Sequence, residues 1–138
     1  MSRVRIEAGD FHFIGVLEEE KAPRTSKWFQ SLLPFRSQVI HARWSGEALW
    51  TPLGDLETGL SLENQTAYPA SGDVLFYPGG ISEAEILLPY GSTSFASRAG
   101  QLAGNHFMTI ITGRERLAEL GNHVLWNGAM DIEFDRLD

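Results

Sequence analysis

The chain offers four groups of residues with the chemistry to do something. Glu83 and Glu85 stand two apart in GDVLFYPGGISEAEILLPYG, residues 72–91. On one strand face, two such carboxylates form either an acid/base pair or a solvated outer surface. His41 and Arg43 in HARW are also two apart and are expected on one strand face, as donors lining a pocket or as solvated side chains. Asn105 and His106 interrupt the apolar run GNHFMTIIT, so one of them is expected to face inward or into a cleft. A buried polar group there needs partners. His106 can be a hydrogen-bonded structural residue or a general base. Trp44 and Trp50 flank the turn SGEA, where they either clamp a planar ligand or belong to the core.

Other chemistry is absent from the pattern. The four histidines form no helix-spaced pair of the HExxH kind and no carboxylate cluster at ligand spacing, so no metal and no cofactor is expected. No cysteine is present, which removes disulfides, thiolate ligands and cysteine nucleophiles. No GxSxG elbow occurs. The glycines after Pro78 precede a strand, with no lysine following, so they do not cradle phosphate as the start of a helix does. Pro78-Gly79 suits the centre of a type II turn at the rim of a sheet.

The elements that must position these groups follow from periodicity. Val4, Ile6 and Ala8 alternate with charged residues as in a half-buried strand. Gly9-Asp10 suits a type II′ hairpin into a second strand, Phe11 to Leu17. Pro23 to Leu33 changes to helical spacing, with Trp28, Phe29, Leu32 and Leu33 on one face and Thr25 and Ser26 as side-chain caps. Pro34 stops that helix. Strands are expected at Ser37–Trp44, Ala48–Thr51, Asp73–Tyr77, Glu85–Leu88, Gly104–Thr112 and Met130–Phe134, with 52–70 mostly loop. A second helix is expected from Arg114 to Leu120, capped at Gly121-Asn122. Trp28 and Trp126 are read as packing residues and His12 as a satisfied structural histidine. Many short strands and two helices indicate a closed or nearly closed β structure whose open ends the helices cover.

At 138 residues, with 43% apolar composition and a mean hydropathy of −0.15, the chain is a single domain, 1–138, able to bury its own core. The net charge of −7 repels phosphate backbones, so nucleic acid is not expected as a partner. No apolar run is long enough to span a bilayer and the N-terminus lacks a secretory h-region, so no membrane association and a cytoplasmic location are expected.

Three segments resemble a known group. EKAPRTSKWF (20–29) is similar to the strand-to-helix junction of cyclophilins, and Gly104-Asn105-His106-Phe107-Met108 resembles their Gly-Ser-Gln-Phe-Phe strand. HARWSGEALWTPLGD (41–55), the 72–91 stretch and AGQLAGNHFMTI (99–110) look closer to a bacterial family of uncharacterised cyclophilin-like proteins, and that likeness covers nearly the whole chain. The resemblance implies a mainly β fold, a closed eight-stranded cyclophilin-like β-barrel with two capping helices, and no established activity. It also makes Arg43 the counterpart of the arginine that aims at the prolyl nitrogen in prolyl isomerases. His41 replaces the Phe two before it, the Gln-Gly-Gly signature is missing, His106 stands for Gln, and Met108 stands for the pocket Phe. The expectation is therefore a small-molecule or short-peptide cleft with Arg43 and His106 as its reactive groups and His41, Trp50, Tyr77, Asn105 and Met108 as ligand contacts. A prolyl isomerase or amide-directed enzyme, and an interaction subunit of a larger enzyme, are the alternatives. Homo-oligomerisation is compatible with the sequence.

Overall fold

The computed structural model describes residues 2–137. The strands are β1 (Arg3–Ala8), β2 (Phe11–Leu17), β3 (Phe35–His41), β4 (Gly46–Gly54), β5 (Gln65–Thr66), β6 (Asp73–Tyr77), β7 (Ala84–Thr93), β8 (Ala96–Ser97), β9 (Gly100–Gln101), β10 (Gly104–Thr112) and β11 (Met130–Arg136). Helix α1 spans Pro23–Leu32. Helix α2 spans Leu117–Asn127 and follows a 3-10 turn at Arg114–Arg116. Among the described residues, no helix is long and apolar enough to cross a membrane.

All pairings are antiparallel, in the order β2-β1-β11-β3-β4-β7-β6-β10, and β10 pairs back with β2. That last pairing closes an eight-stranded barrel and leaves no open edge in the ring. The β1–β2 hairpin pairs Ala8 with Phe11 across Gly9-Asp10. Gly9 has φ +58° and Asp10 does not share a positive φ, as a type II′ turn requires. β5 adds two residues to β10 beside β2.

The barrel interior is filled by side chains that alternate inward, Ile6, Phe13, Phe76, Ile86, Phe107 and Phe134 among them. The aromatic face of α1 closes one end. Phe29 packs 5.0 Å from Phe107 and edge-on to Phe134, and Trp28 lies 4.3 Å from Phe76. Leu117, Leu120 and Val124 of α2 close the other end. A second apolar layer lies outside the barrel. Leu75, Tyr77, Leu87 and Ala48 point outward and are covered by Phe95 and Leu102, on the segment that carries the β8–β9 hairpin. Strands β6 and β7 are apolar on both faces because both faces are buried.

Asn105 fastens one end together. It is fully buried on the inner face. Its Nδ2 donates to Thr25 Oγ1 of α1 and to the Ser61 carbonyl, both at 3.1 Å, and its Oδ1 accepts from the Glu63 N–H at 3.0 Å. Glu63 Oε2 in turn accepts from the Thr25 N–H and Oγ1. Thr25 and Ser26 are thus not side-chain caps. They sit buried in the first turn, and a carboxylate from the 55–64 loop satisfies the helix N-terminus and its dipole. Replacing Asn105 by Ala strands several of these groups without water. It is expected to lower stability by about 2 kcal/mol, read as a lower denaturation midpoint with unchanged m-value. An unchanged midpoint would show that the three bonds contribute nothing net.

Several boundaries differ from the sequence-based expectation. β3 begins at Phe35 and ends at His41, so Arg43 and Trp44 lie in the 42–45 turn. β4, β7 and β11 run longer than expected, β7 through Pro89 to Thr93. The cap expected at Gly121-Asn122 is absent, and α2 continues to Asn127 with Gly128 after it. Gly121 instead serves a close approach: a Cβ there would lie 2.3 Å from Cδ2 of Tyr90. Trp126 is 78% exposed and is no packing residue, and His12 is also exposed, with Glu7 Oε1 3.9 Å from its Nδ1.

Candidate functional site

A concavity of about 360 Å³ opens on the outer face of the barrel. Its floor is the sheet surface at Ile40, Trp50 and Glu85. The β3–β4 turn supplies Arg43, Trp44 and Ser45. The β6–β7 connection supplies Ser82 and Glu83, and the β8–β9 hairpin supplies Arg98. This volume is at the small end of ligand sites, which run from about 300 to 1,000 Å³.

Local structure explains why these walls stand where they do. In the β6–β7 connection, Gly79 has φ +94°, which suits a type II turn centred on Pro78-Gly79. The Tyr77 hydroxyl accepts the Ile81 N–H at 3.1 Å, and Tyr77 packs edge-on against Phe95. The connection and the covering segment therefore share one buried ring. On the opposite wall, Ser45 Oγ donates to the Ala96 carbonyl and accepts from its N–H, both at 3.1 Å. The β3–β4 turn is fastened to the hairpin that bears Arg98.

Glu85 is the unusual group. It lies on β7 between Tyr77 of β6 and Pro52 of β4, and it is 7% exposed. Among the described residues, no hydrogen bond or ion pair reaches it. Burial, and then the Glu83 carboxylate, push its carboxyl from 4.5 up to about 8. At neutral pH it is a protonated acid, a hydrogen-bond donor facing the cleft. Glu83 is exposed, and its Oε2 accepts from the Gly54 N–H at 3.0 Å. Arg43 and Arg98 are exposed and, among the described residues, neither makes a hydrogen bond or an ion pair.

The residues singled out from the sequence divide between three places. Arg43, Trp50 and His41 border this concavity. Tyr77 lies beside Glu85 beneath the loop and is buried. His106 is elsewhere on the outer face. In register, the row runs His106, Leu75, Leu87, Trp50, so three strand spacings, about 14 Å, separate His106 from Trp50. His106 and Arg43 therefore do not converge. The His106 Nε2–H donates to Thr109 Oγ1 at 2.7 Å, Thr109 donates to Glu18 Oε2 at 2.6 Å, and Asp73 Oδ1 is 3.6 Å away. Asn105 and Met108 point into the barrel, Met108 fully buried in its core and Asn105 with its bonds to the α1 end. His41 turns its ring to the inner side. Its Nδ1–H donates to the Ala42 carbonyl and its Nε2 accepts from the Tyr90 hydroxyl, both at 2.8 Å. Glu83 and Glu85, named from the sequence as an acid/base pair or a solvated outer surface, both line the concavity, Glu83 exposed and Glu85 buried. Arg98 was missed, being a lone arginine near a glycine.

Known proteins supply a fold comparison. The structure of McbB in complex with tryptophan superposes with a TM-score of 0.75 at 18% identity, covering 97% of this chain and 44% of that one. This chain therefore spans less than half the length of McbB. The solution structure of the hypothetical protein AF2241 from Archaeoglobus fulgidus gives a TM-score of 0.64 at 20% identity, covering 98% of this chain and 94% of that one. Among curated proteins, no sequence matches significantly. With its closed eight-stranded barrel and a family model that matches residues 4–136, the chain belongs to the family described as protein of unknown function (DUF3830).

Proposed function

We propose that the outer cleft binds a small organic molecule, or the end of a short peptide, that carries a carboxylate. The observation that carries this reading is a nearly buried Glu85 acid on the floor of a cleft with two guanidiniums, Arg43 and Arg98, in its walls, all three without partners among the described residues. Arginine is suited to such a role because its planar fork holds a carboxylate by two parallel bonds. In the empty cleft the neutral Glu85 carboxyl adds no negative charge to repel an incoming carboxylate. Trp50 offers a half-buried apolar face beside them. The tryptophan bound in the McbB complex supports an occupant of amino-acid size.

Thermal melting with a panel of aliphatic and aromatic carboxylates, amino acids and dipeptides tests the reading. At least one member, at a hundredfold excess over its Kd, is expected to add about 2.7 kcal/mol of stability by mass action. The Arg43→Ala/Arg98→Ala double variant, altered at two exposed positions, is expected to melt like the parent and to lose at least nine-tenths of that ligand's affinity. A panel in which nothing shifts the transition, or a double variant that binds as well as the parent, overturns the proposal.

A further inference from the structure

The cleft holds two guanidiniums, the Glu83 carboxylate and the protonated Glu85 carboxyl, and joins no cation to an anion among the described residues. Arg43 and Arg98 stand in its walls, Glu83 at its edge and Glu85 on its floor, and among the described residues no salt bridge joins an arginine of this set to a glutamate. Opposite charges around one small space gain by meeting, and holding them apart leaves their compensation to a guest. A simple carboxylate compensates the guanidiniums and leaves the Glu83 charge uncompensated beside a protonated Glu85. A simple amine does the reverse. The occupant that satisfies both carries an anion and a cation a few bonds apart.

We infer that the cleft, if it is the carboxylate-binding site proposed above, selects a zwitterionic α-amino acid, its carboxylate on Arg43 and Arg98 and its ammonium on Glu83 and Glu85. Ile40, Trp44 and Trp50 share the remaining lining with serines such as Ser82 and Ser97, so an apolar or aromatic side chain has ring and aliphatic faces to pack on. The volume of about 360 Å³ suits a single residue better than an extended peptide.

Glu85 gives this inference a signature of its own. In the empty cleft, burial keeps its carboxyl protonated at neutral pH. Glu83 on the same chain segment is the charge that acts on it, Tyr77 of β6 lies beside it, and Arg43 from the β3–β4 turn and Arg98 from the hairpin line the same cleft. An incoming ammonium favours the ionised form, so the proton on Glu85 leaves for the buffer as the ligand binds.

Calorimetric titration of the whole protein at pH 7, in phosphate and in Tris, reads both parts. The twenty common amino acids are titrated singly, then the N-acetyl derivative, the des-amino carboxylate and the decarboxylated amine of the tightest. The expected result is binding of an apolar or aromatic amino acid, with each analogue at least tenfold weaker. Net proton release is expected in the parent and is lost in Glu85→Gln, whose fold is checked by circular dichroism. A des-amino carboxylate that binds as tightly as its amino acid overturns the zwitterion and leaves the carboxylate site standing. An amine that binds as tightly overturns both. No binding by any amino acid overturns the inference, while the wider carboxylate panel decides the reading beneath it. Binding with no proton release overturns the placement of the ammonium on Glu85.

Discussion

Replacing Glu85 by glutamine is expected to stabilise the protein by about 5 kcal/mol at pH 9 and by almost nothing at pH 4, where both side chains are neutral. The reason is the distance between its two titrations. In the unfolded chain the carboxyl ionises near its ordinary value of 4.5. In the folded chain, burial first and the Glu83 charge second hold it to about 8. Between those values the folded state binds the extra proton, so stability falls as pH rises. It is fully present below the unfolded value and lost as pH climbs through the folded one. Glutamine has the size of the protonated acid and no titration. Thermal or urea unfolding of parent and variant across pH 4–9 gives a difference that opens upward with pH. Parallel curves would mean that Glu85 ionises freely in the folded protein and that the floor of the cleft is wet.

The sequence made the barrel legible because barrels of this size announce themselves twice. The strands carry the period of two, and their apolar content is too high for a sheet with one wet face. Phe11 to Leu17, Asp73 to Tyr77 and Gly104 to Thr112 were readable to the residue, because each is apolar and bounded by turn residues. Pro89 hid the second half of β7. A proline is disfavoured in a central strand, yet here its carbonyl accepts the Gly72 N–H, and the ladder with β4 shifts register nearby. The outer layer was not legible. Nothing in the order of residues says that Phe95 and Leu102 fold back over Leu75 and Leu87, and that fold-back is what makes a cleft beside Trp50. The expected meeting of Arg43 with His106 failed for a related reason. Both lie on outward-facing positions, and only the strand order shows that β7 and β6 stand between them. Glu85 was visible as a polar residue in an apolar strand, but its neighbour Glu83 made the pair look like a solvated edge.

One position tests whether tertiary contact overrides local preference. Gly121→Ala is expected to destabilise the protein by about 3 kcal/mol, although alanine is better than glycine inside a helix by about 1 kcal/mol. The helix runs uninterrupted through this site, so propensity alone forecasts a gain. The obstacle is Tyr90. The added methyl would lie 2.3 to 2.5 Å from Cδ2, Cε2 and Cγ, atoms at the root and flank of the ring rather than at a movable tip. The ring cannot swing aside cheaply, because its hydroxyl is bonded to His41 Nε2 and the imidazole packs edge-on against it. Either α2 lifts from the barrel end or the His41 bond breaks. His41 ends β3 and leads into the turn that carries Arg43, so the helix, the tyrosine and the cleft wall are mechanically one series. The Tyr90→Ala change made in the Gly121→Ala background should therefore recover stability, with a coupling of more than about 1 kcal/mol in a double-mutant cycle. A Gly121→Ala variant that melts higher than the parent would show that α2 has room to shift and that Tyr90 does not seat it.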